Sequence, residues 1–416
     1  MPGSPGLMES VAAPATARAE GRDSAVARSL RPCMISFYFH PNYSGSAIQA
    51  LNLSRQLVDF GVRPMIVSAN LSDSPAQDSV DGIPLYRLPT ARQRDLQVPT
   101  FSAALLRFLV EHRHEYDVIH AHGVLQHVVA SLAGRWLGKP TILKVAMADS
   151  CLAFHRHGRL RGRVNRALVR RFDTYIATTT AIVDEISERG LDSSRVRLIP
   201  NGVDTQIFTP LPLDARRALR RSLGLPDAPL VTYVGILDSR KNVDGILRIW
   251  QTVCAQHPTA HLALVGPRPP DSDPFFAQLI SFVNSAGLGE RVTFTGFKNP
   301  VVPYVQAADA FLFPSRREGM ANSVLEAMSC GVPALVSDAA GVASVIRDGD
   351  NGYARNVDDE HGFAAALLEL LNDTRRGEEL GAAARHTIVA GYSLSATASR
   401  YRDLYAELSY TRKVSG

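Results

Sequence analysis

"DAFLFPSRREGMANSVLEAMSCGVPALVSD", Asp309 to Asp338, reads as strand, loop, helix, turn and strand. "AFLF" and "ALVS" are short apolar runs of the kind that form buried parallel strands. "SVLEAMS" between them has helical periodicity, and Gly331 with Pro333 stops it. Two strands joined through a helix make a βαβ unit, which places the chain in the α/β class. The stretch also carries two carboxylates. Glu318 lies on the loop at the first strand's carboxyl end, where ligands of such sheets bind, and Glu326 lies about one turn inside the helix. Between them the amides of Gly319, Met320, Ala321, Asn322 and Ser323 are helix-start donors suited to an anion such as a diphosphate. A plainer reading stands beside this one: Ser323 followed three residues later by Glu326 matches a capping box, with Glu326 satisfying a backbone donor.

The same alternation runs outward in both directions. "CMISFYF", "RPMIVSA", "DVIHAH", "PTILKVA", "DTYIATT" and "RVRLI" form a first series of strands, with amphipathic segments such as "AIQALNLSRQLVDFG" between several of them. "PNGVDTQIFTPLPLD" (Pro200 to Asp214) breaks the rhythm. "LVTYVG", "AHLALVG", "RVTFTG", "DAFLFPS" and "VPALVS" then form a second series. A chain of 416 residues exceeds what one core usually fills. The expected organisation is a disordered arm over 1–30, a Rossmann-like domain over 31–207, a second over 208–390, and a C-terminal helix over 391–416 packing back toward the first domain. The two halves face a central cleft between the carboxyl ends of their strands.

Composition narrows the function classes. Apolar residues make up 45% and charged residues 20%. Cys33, Cys151, Cys254 and Cys330 are far apart, with no C-x-x-C pair, which fits reduced thiols of a cytoplasmic protein better than a disulfide framework or zinc site. No apolar run reaches the roughly 18 residues of a spanning helix, and the first thirty residues lack a signal-peptide core. A net charge of +5 is too mild to argue for nucleic acid.

Four further stretches carry candidate chemistry. His120 and His122 in "DVIHAHG" share one strand face. They read as strand-end histidines, since a zinc site needs further ligands that the sequence does not supply. Gly45 and Ser46 in "SGSA" follow the first strand, as a turn or a ligand loop. The segment 155–172, "HRHGRLRGRVNRALVRRF", interleaves arginines with Leu160, Val164, Leu168 and Phe172, and suits either a solvated helix face or an anionic membrane surface. "DSD" at Asp271 to Asp273 mimics a metal-binding D-x-D, but follows "PRPP" in a loop and is taken as a chance match.

Glu318 and Glu326 form an E-x7-E pair. With "DVIHAHG", "RVRLIPNGVDTQIF", "VGILDSRKNVDGIL", "RVTFTGF" and "AADAFLFPS", in this order and spacing, the chain resembles the retaining GT-B glycosyltransferases of family 4 (glycosyl transferases group 1). The resemblance spans about 33 to 400. It implies transfer of a hexose-type sugar from a UDP- or GDP-linked donor to an acceptor hydroxyl with retention. It implies no cofactor and no metal, the nucleotide sugar being a substrate. Glu318 would then sit by the sugar, Glu326 at the ribose hydroxyls, Lys241 at the diphosphate and His122 at the transferred sugar. Gly45, Ser46, Arg240, the amides from Gly319 to Ser323, and Phe297 complete the expected donor contacts. Ile236 departs from the pattern: the family commonly has arginine there, and Arg240 beside Lys241 is the candidate substitute. The acceptor stays open, and the 155–172 segment is the expected membrane contact if it is lipid-linked. Competing readings are a nucleotide-sugar epimerase of the same fold, a catalytically silent nucleotide-sugar binder, and a dinucleotide oxidoreductase, the last weakened by the lack of a G-x-G-x-x-G fingerprint.

Overall fold

The computed structural model describes residues 29–40, 45–123, 127–146, 159–268 and 274–414. Nearly all of the expected arm, the first part of the basic segment and the "DSD" tripeptide lie outside the described residues. Ser29 and Leu30 already belong to the fold: Ser29 Oγ donates to Gly61 O at 2.6 Å, and Leu30 O accepts from Arg63 N at 2.8 Å.

Two sheets organise the molecule. The first contains β1 (Pro32–Ile35), β2 (Met65–Ala69), β3 (Gln77–Val80), β4 (Ile83–Leu88), β5 (Val118–His122), β6 (Thr141–Val145), β7 (Thr174–Ala177) and β8 (Val196–Leu198), in the order β3-β4-β2-β1-β5-β6-β7-β8. All its pairings are parallel except β3 with β4, a hairpin turned by Asp81 and Gly82 at φ 52 and 77. The second contains β9 (Leu230–Val234), β10 (His261–Val265), β11 (Val292–Gly296), β12 (Ala310–Phe313), β13 (Ala334–Ser337) and β14 (Gly352–Arg355), all parallel, in the order β11-β10-β9-β12-β13-β14. In both, order reverses next to the first strand of the series, opening the crevice in which doubly wound sheets bind ligands.

Alternation along the strands separates the cores. In β6, Leu143 and Val145 join one face of the first sheet with Phe101, Phe108 and Phe172, while Ile142 joins the other with Leu53, Leu57 and Tyr401. Ile199 still packs in the first domain, but Val203 and Phe208 belong to the second core, so the chain changes domain over Pro200–Gly202, ahead of residue 207. The C-terminal helix, Leu394–Val414, crosses back. Ala398, Tyr401, Leu404 and Tyr405 bury against the first sheet and the Gly45–Asp59 helix. Its start is pinned by reciprocal backbone bonds, Val203 N to Tyr392 O at 3.0 Å and Leu394 N to Val203 O at 2.8 Å. Gly202 is required there, because a Cβ would lie 2.7 Å from the Leu394 Cα. No helix of the described residues is long and apolar enough to cross a membrane.

Candidate active site

The carboxyl edges of the two sheets face each other, and three contacts among the described residues join them. Asn322 Nδ2 donates to Gly45 O at 3.5 Å. Asn201 Nδ2 donates to Met320 O at 3.1 Å and to Asn322 Oδ1 at 2.8 Å. Gly341 packs so closely on Gly319 O and the Thr179 methyl that an added Cβ would lie 2.9 and 3.2 Å from them. Gly45, the segment at Asn201 and the Gly319–Asn322 loop thus come together at the base of one cleft.

Glu318 leaves the end of β12 on a loop held to β13's exit by a bridge with Ala340, where Gly341 N donates to Glu318 O at 2.9 Å. Its side chain is turned toward the loop after β9. There Asp238 caps a 3-10 turn, Ser239–Lys241, by accepting from Lys241 N at 2.9 Å, and the turn presents two cations. Arg240 Nη1 donates to Glu318 Oε2 at 3.0 Å and to Arg317 O at 3.3 Å. Lys241 Nζ donates to the same Glu318 oxygen and lies 4.8 Å from the centre of the Phe313 ring. Burial lowers the Lys241 pKa, and the Glu318 carboxylate partly offsets this. Ile236, where the family pattern has arginine, is 49% exposed, so Arg240 is the second cation actually at this carboxylate.

The helix that follows runs Asn322–Ser329 with Ala321 at its N-cap and no side-chain cap. Ser323 is inside the helix, so the capping-box alternative does not occur. The Glu326 side chain has no hydrogen bond or ion pair within the described residues. Surrounding protein desolvates its carboxyl and pushes its pKa up to about 7. An unpartnered acidic group in a cleft wall is costly to keep unless a ligand supplies donors. Phe297 stands on the rim just beyond β11, 58% exposed. Gly235 and Gly266, at the ends of β9 and β10, approach so closely that a Cβ on Gly266 would lie 1.9 Å from Gly235 O.

Across the cleft, His122 ends β5 but is only 2% exposed, with neither ring nitrogen hydrogen-bonded among the described residues. It lies 4.1 Å, centre to centre, from the His120 ring. His120 Nδ1 pairs with the Tyr405 hydroxyl at 2.8 Å, a tie between β5 and the C-terminal helix. Burial holds both imidazoles well below the ordinary histidine pKa, His120 and Lys144 adding to the effect at His122. Both are neutral at pH 7. No group of three His, Cys, Asp or Glu residues among those described could hold a metal ion. Gly45 and Ser46 open the Gly45–Asp59 helix at the cleft.

Sequence reasoning missed Asn201, Thr179 and Lys144. Asn201 lies in "PNGVD", which reads locally as a turn. Lys144 is a lone charge inside the apolar run "PTILKVA", a signal that was legible.

Two doubly wound domains, with facing carboxyl edges and an acid-and-cation cluster beside an uncapped helix start, define a GT-B glycosyltransferase. The description "Glycosyl transferase 4-like domain" matches residues 44–202, and "Glycosyl transferases group 1" matches 215–387. The chain belongs to the group 1 glycosyltransferases of GT-B fold, which use nucleotide sugars. It is 27% identical to the D-inositol 3-phosphate glycosyltransferase of Xylanimonas cellulosilytica, over 92% of this chain and 98% of the relative. It is 21% identical to the N-acetyl-alpha-D-glucosaminyl L-malate synthase of Bacillus anthracis, over 89% and 95%. Among solved structures, Anabaena HepE in complex with UDP and glucose superposes with a TM-score of 0.77 at 19% identity, over 91% of this chain and 100% of that one.

Proposed function

We propose that this chain moves a hexose-type sugar from a UDP- or GDP-linked donor to an acceptor hydroxyl with retention at the anomeric carbon, without a metal ion. The observation that carries the reading is Glu318 held between Lys241 and Arg240 beside the uncapped Asn322–Ser329 helix. Breaking the glycosyl–phosphate bond puts negative charge on the departing diphosphate. Lys241, Arg240 and the amides from Gly319 to Ser323 stabilise that charge from fixed positions. Glu318 is then released from the cations to the sugar, where it holds hydroxyls and offsets the positive character of the anomeric centre. Glu326 accepts from the ribose diol, and Phe297 offers a platform for the base. The acceptor hydroxyl attacks from the face that the phosphate leaves, its proton passing to the departing phosphate oxygen. Neutral His122 contributes from the first domain when the cleft closes.

The relatives' names give L-malate and inositol 3-phosphate as parts of the substrates of those proteins, and no single acceptor follows from them. The test is a thermal-shift screen with UDP, GDP and ADP, followed by incubation with the matching labelled sugar donor. One nucleotide should raise the melting temperature, and labelled sugar should be transferred or hydrolysed. Tight binding without turnover would favour the silent binder, and donor turnover to an isomer without an acceptor would favour an epimerase.

We also infer a membrane-facing surface on the first domain. The helices His127–Leu137 and Arg159–Val169 pack together and expose Trp136 (70%), Val164 (49%) and Leu132 (42%), with Arg135, Arg163 and Arg166 exposed on the same pair of helices. Apolar side chains framed by arginines suit the interface of an anionic bilayer.

A further inference from the structure

The last inward position of each central strand in the first sheet carries a polar side chain. On the face covered by the Gly45–Asp59 and C-terminal helices these are Ser68, Ser36, His122, Lys144 and Thr178, all 5% exposed or less. Parallel register pairs His122 with Lys144 directly. A row of polar groups this deep is ordinarily satisfied internally. Here Ser68 Oγ, both His122 nitrogens and Thr178 Oγ1 have no partner among the described residues, and Ser36 is engaged locally, donating to Tyr38 O at 2.9 Å.

Lys144 is the sharpest anomaly in the row. Its side chain makes no hydrogen bond or ion pair among the described residues, and the contact it does make is 5.9 Å from the centre of the Tyr401 ring. Among the described residues the titratable groups near it are His120 and His122 on β5 and Tyr401 and Tyr405 on the C-terminal helix, none of which is a carboxylate. Burial drives its pKa down to about 8, and no acid among the described residues opposes it. A buried cation lacking a counter-charge weakens a fold, so its presence calls for a ligand that supplies the charge. The donor diphosphate already has its own cations, Lys241 and Arg240, on the opposite wall.

We propose that Lys144, with His122 beside it in the sheet register, forms an anion-binding subsite of the first domain that holds a carboxylate or phosphate group of the acceptor. The assignment to the acceptor rests on the transferase reading above. The anion itself is argued from Lys144 alone. In this arrangement the anionic group fixes the acceptor by ion pairing to Lys144, and His122, its register partner on β5, stands at the junction with the sugar site.

The test compares wild type with Lys144→Gln, each saturated with whichever of UDP or GDP binds, titrated calorimetrically with inorganic phosphate and, in a separate arm, with L-malate. Wild type should bind one of the two anions, which distinguishes phosphate from carboxylate. The substitution should weaken that binding at least tenfold while leaving nucleotide affinity unchanged. In anion-free buffer, Lys144→Gln should melt at or above the wild-type temperature, since an unopposed buried charge is gone; a purely structural lysine would give the reverse. Absence of anion binding to wild type, unchanged binding in the variant, or a lowered anion-free melting temperature would each overturn the proposal. Failure of both nucleotides to bind would instead count against the donor reading. The anion titrations would then be run without nucleotide on a Lys241→Gln background, with the same criteria.

Discussion

Lys241 Nζ and Arg240 Nη1 donate to one and the same oxygen of Glu318. The carboxylate proposed to face the sugar and the two cations proposed to face the diphosphate are therefore paired with one another, and Asp238, 3.7 Å from Arg240, adds the second negative charge. A donor entering this site exchanges one ion pair for another rather than desolvating bare charges, which limits the penalty of burying them. It also couples the two halves of the donor, because phosphate that engages Lys241 frees Glu318.

Removing the carboxylate separates these roles. Glu318→Gln should lower kcat by about 10²–10³-fold, the scale of losing one preorganised electrostatic contact. Nucleotide diphosphate affinity should stay within a few-fold of wild type or rise, as the cations lose their internal competitor. Parallel steady-state kinetics and calorimetry would check this, and an equal loss of binding and turnover would remove Glu318 from the sugar.

Lys241→Met should act on the donor. KM for the nucleotide sugar should rise, and kcat should fall as well, because the lysine meets a charge that grows in the transition state. Arg240→Met should show the same direction with smaller size, since Arg240 is more exposed than Lys241. An Arg240 effect larger than that of Lys241 would make Arg240 the principal phosphate ligand.

Glu326 gives a pH signature in the ligand-free protein. Its folded pKa of about 7 lies above the ordinary glutamate value of about 4.3 in the unfolded chain. Below about pH 4 both states are protonated and the group is neutral in its effect. As pH rises from there to 7 the unfolded chain ionises first, so stability is progressively lost, and above 7 the loss is complete. Glu326→Gln should therefore be more stable than wild type at pH 8, with the gap wider than at pH 5 by about 2 kcal/mol. Denaturant titrations at the two pH values measure it, and a gap independent of pH would refute the buried carboxyl. The same variant should bind nucleotide more weakly.

Trp136 offers a direct probe of the membrane-facing surface. Its emission should shift to the blue with vesicles containing phosphatidylserine but not with purely zwitterionic ones, and the response should shrink on adding salt. Arg163→Glu together with Arg166→Glu should abolish it. A shift that ignores lipid charge would leave the arginines without the role inferred here.

The strand rhythm made the two-domain fold legible, because each buried parallel strand is a short apolar run. What escaped were β3, β4 and β14, whose pairing depends on context. β3 is largely exposed and β14 is only partly apolar, so neither stands out, although the Asp81-Gly82 turn between β3 and β4 is a hairpin signal. At the site, Glu318, Lys241 and Arg240 come from distant motifs, and that they meet at one carboxylate oxygen is not written in any of them. Ser323 shows the opposite limit: its spacing to Glu326 fits a capping box, yet the helix starts one residue earlier and needs no such cap. The isolation of Lys144 could be suspected from its apolar neighbours, but only the strand register places it beside His122.

The return of the Leu394–Val414 helix to the first sheet has a consequence for how the protein is made. A ribosome delivers every strand of the first domain well before the residues that cover one of its faces. Until Tyr401 and Tyr405 emerge, His120 lacks its hydroxyl partner, and β5 and the Gly45–Asp59 helix lack the helix that packs on them in the finished molecule. The domain synthesised first is thus the one completed last, and a nascent chain halted before residue 394 should be a client for chaperones while its second domain is already closed.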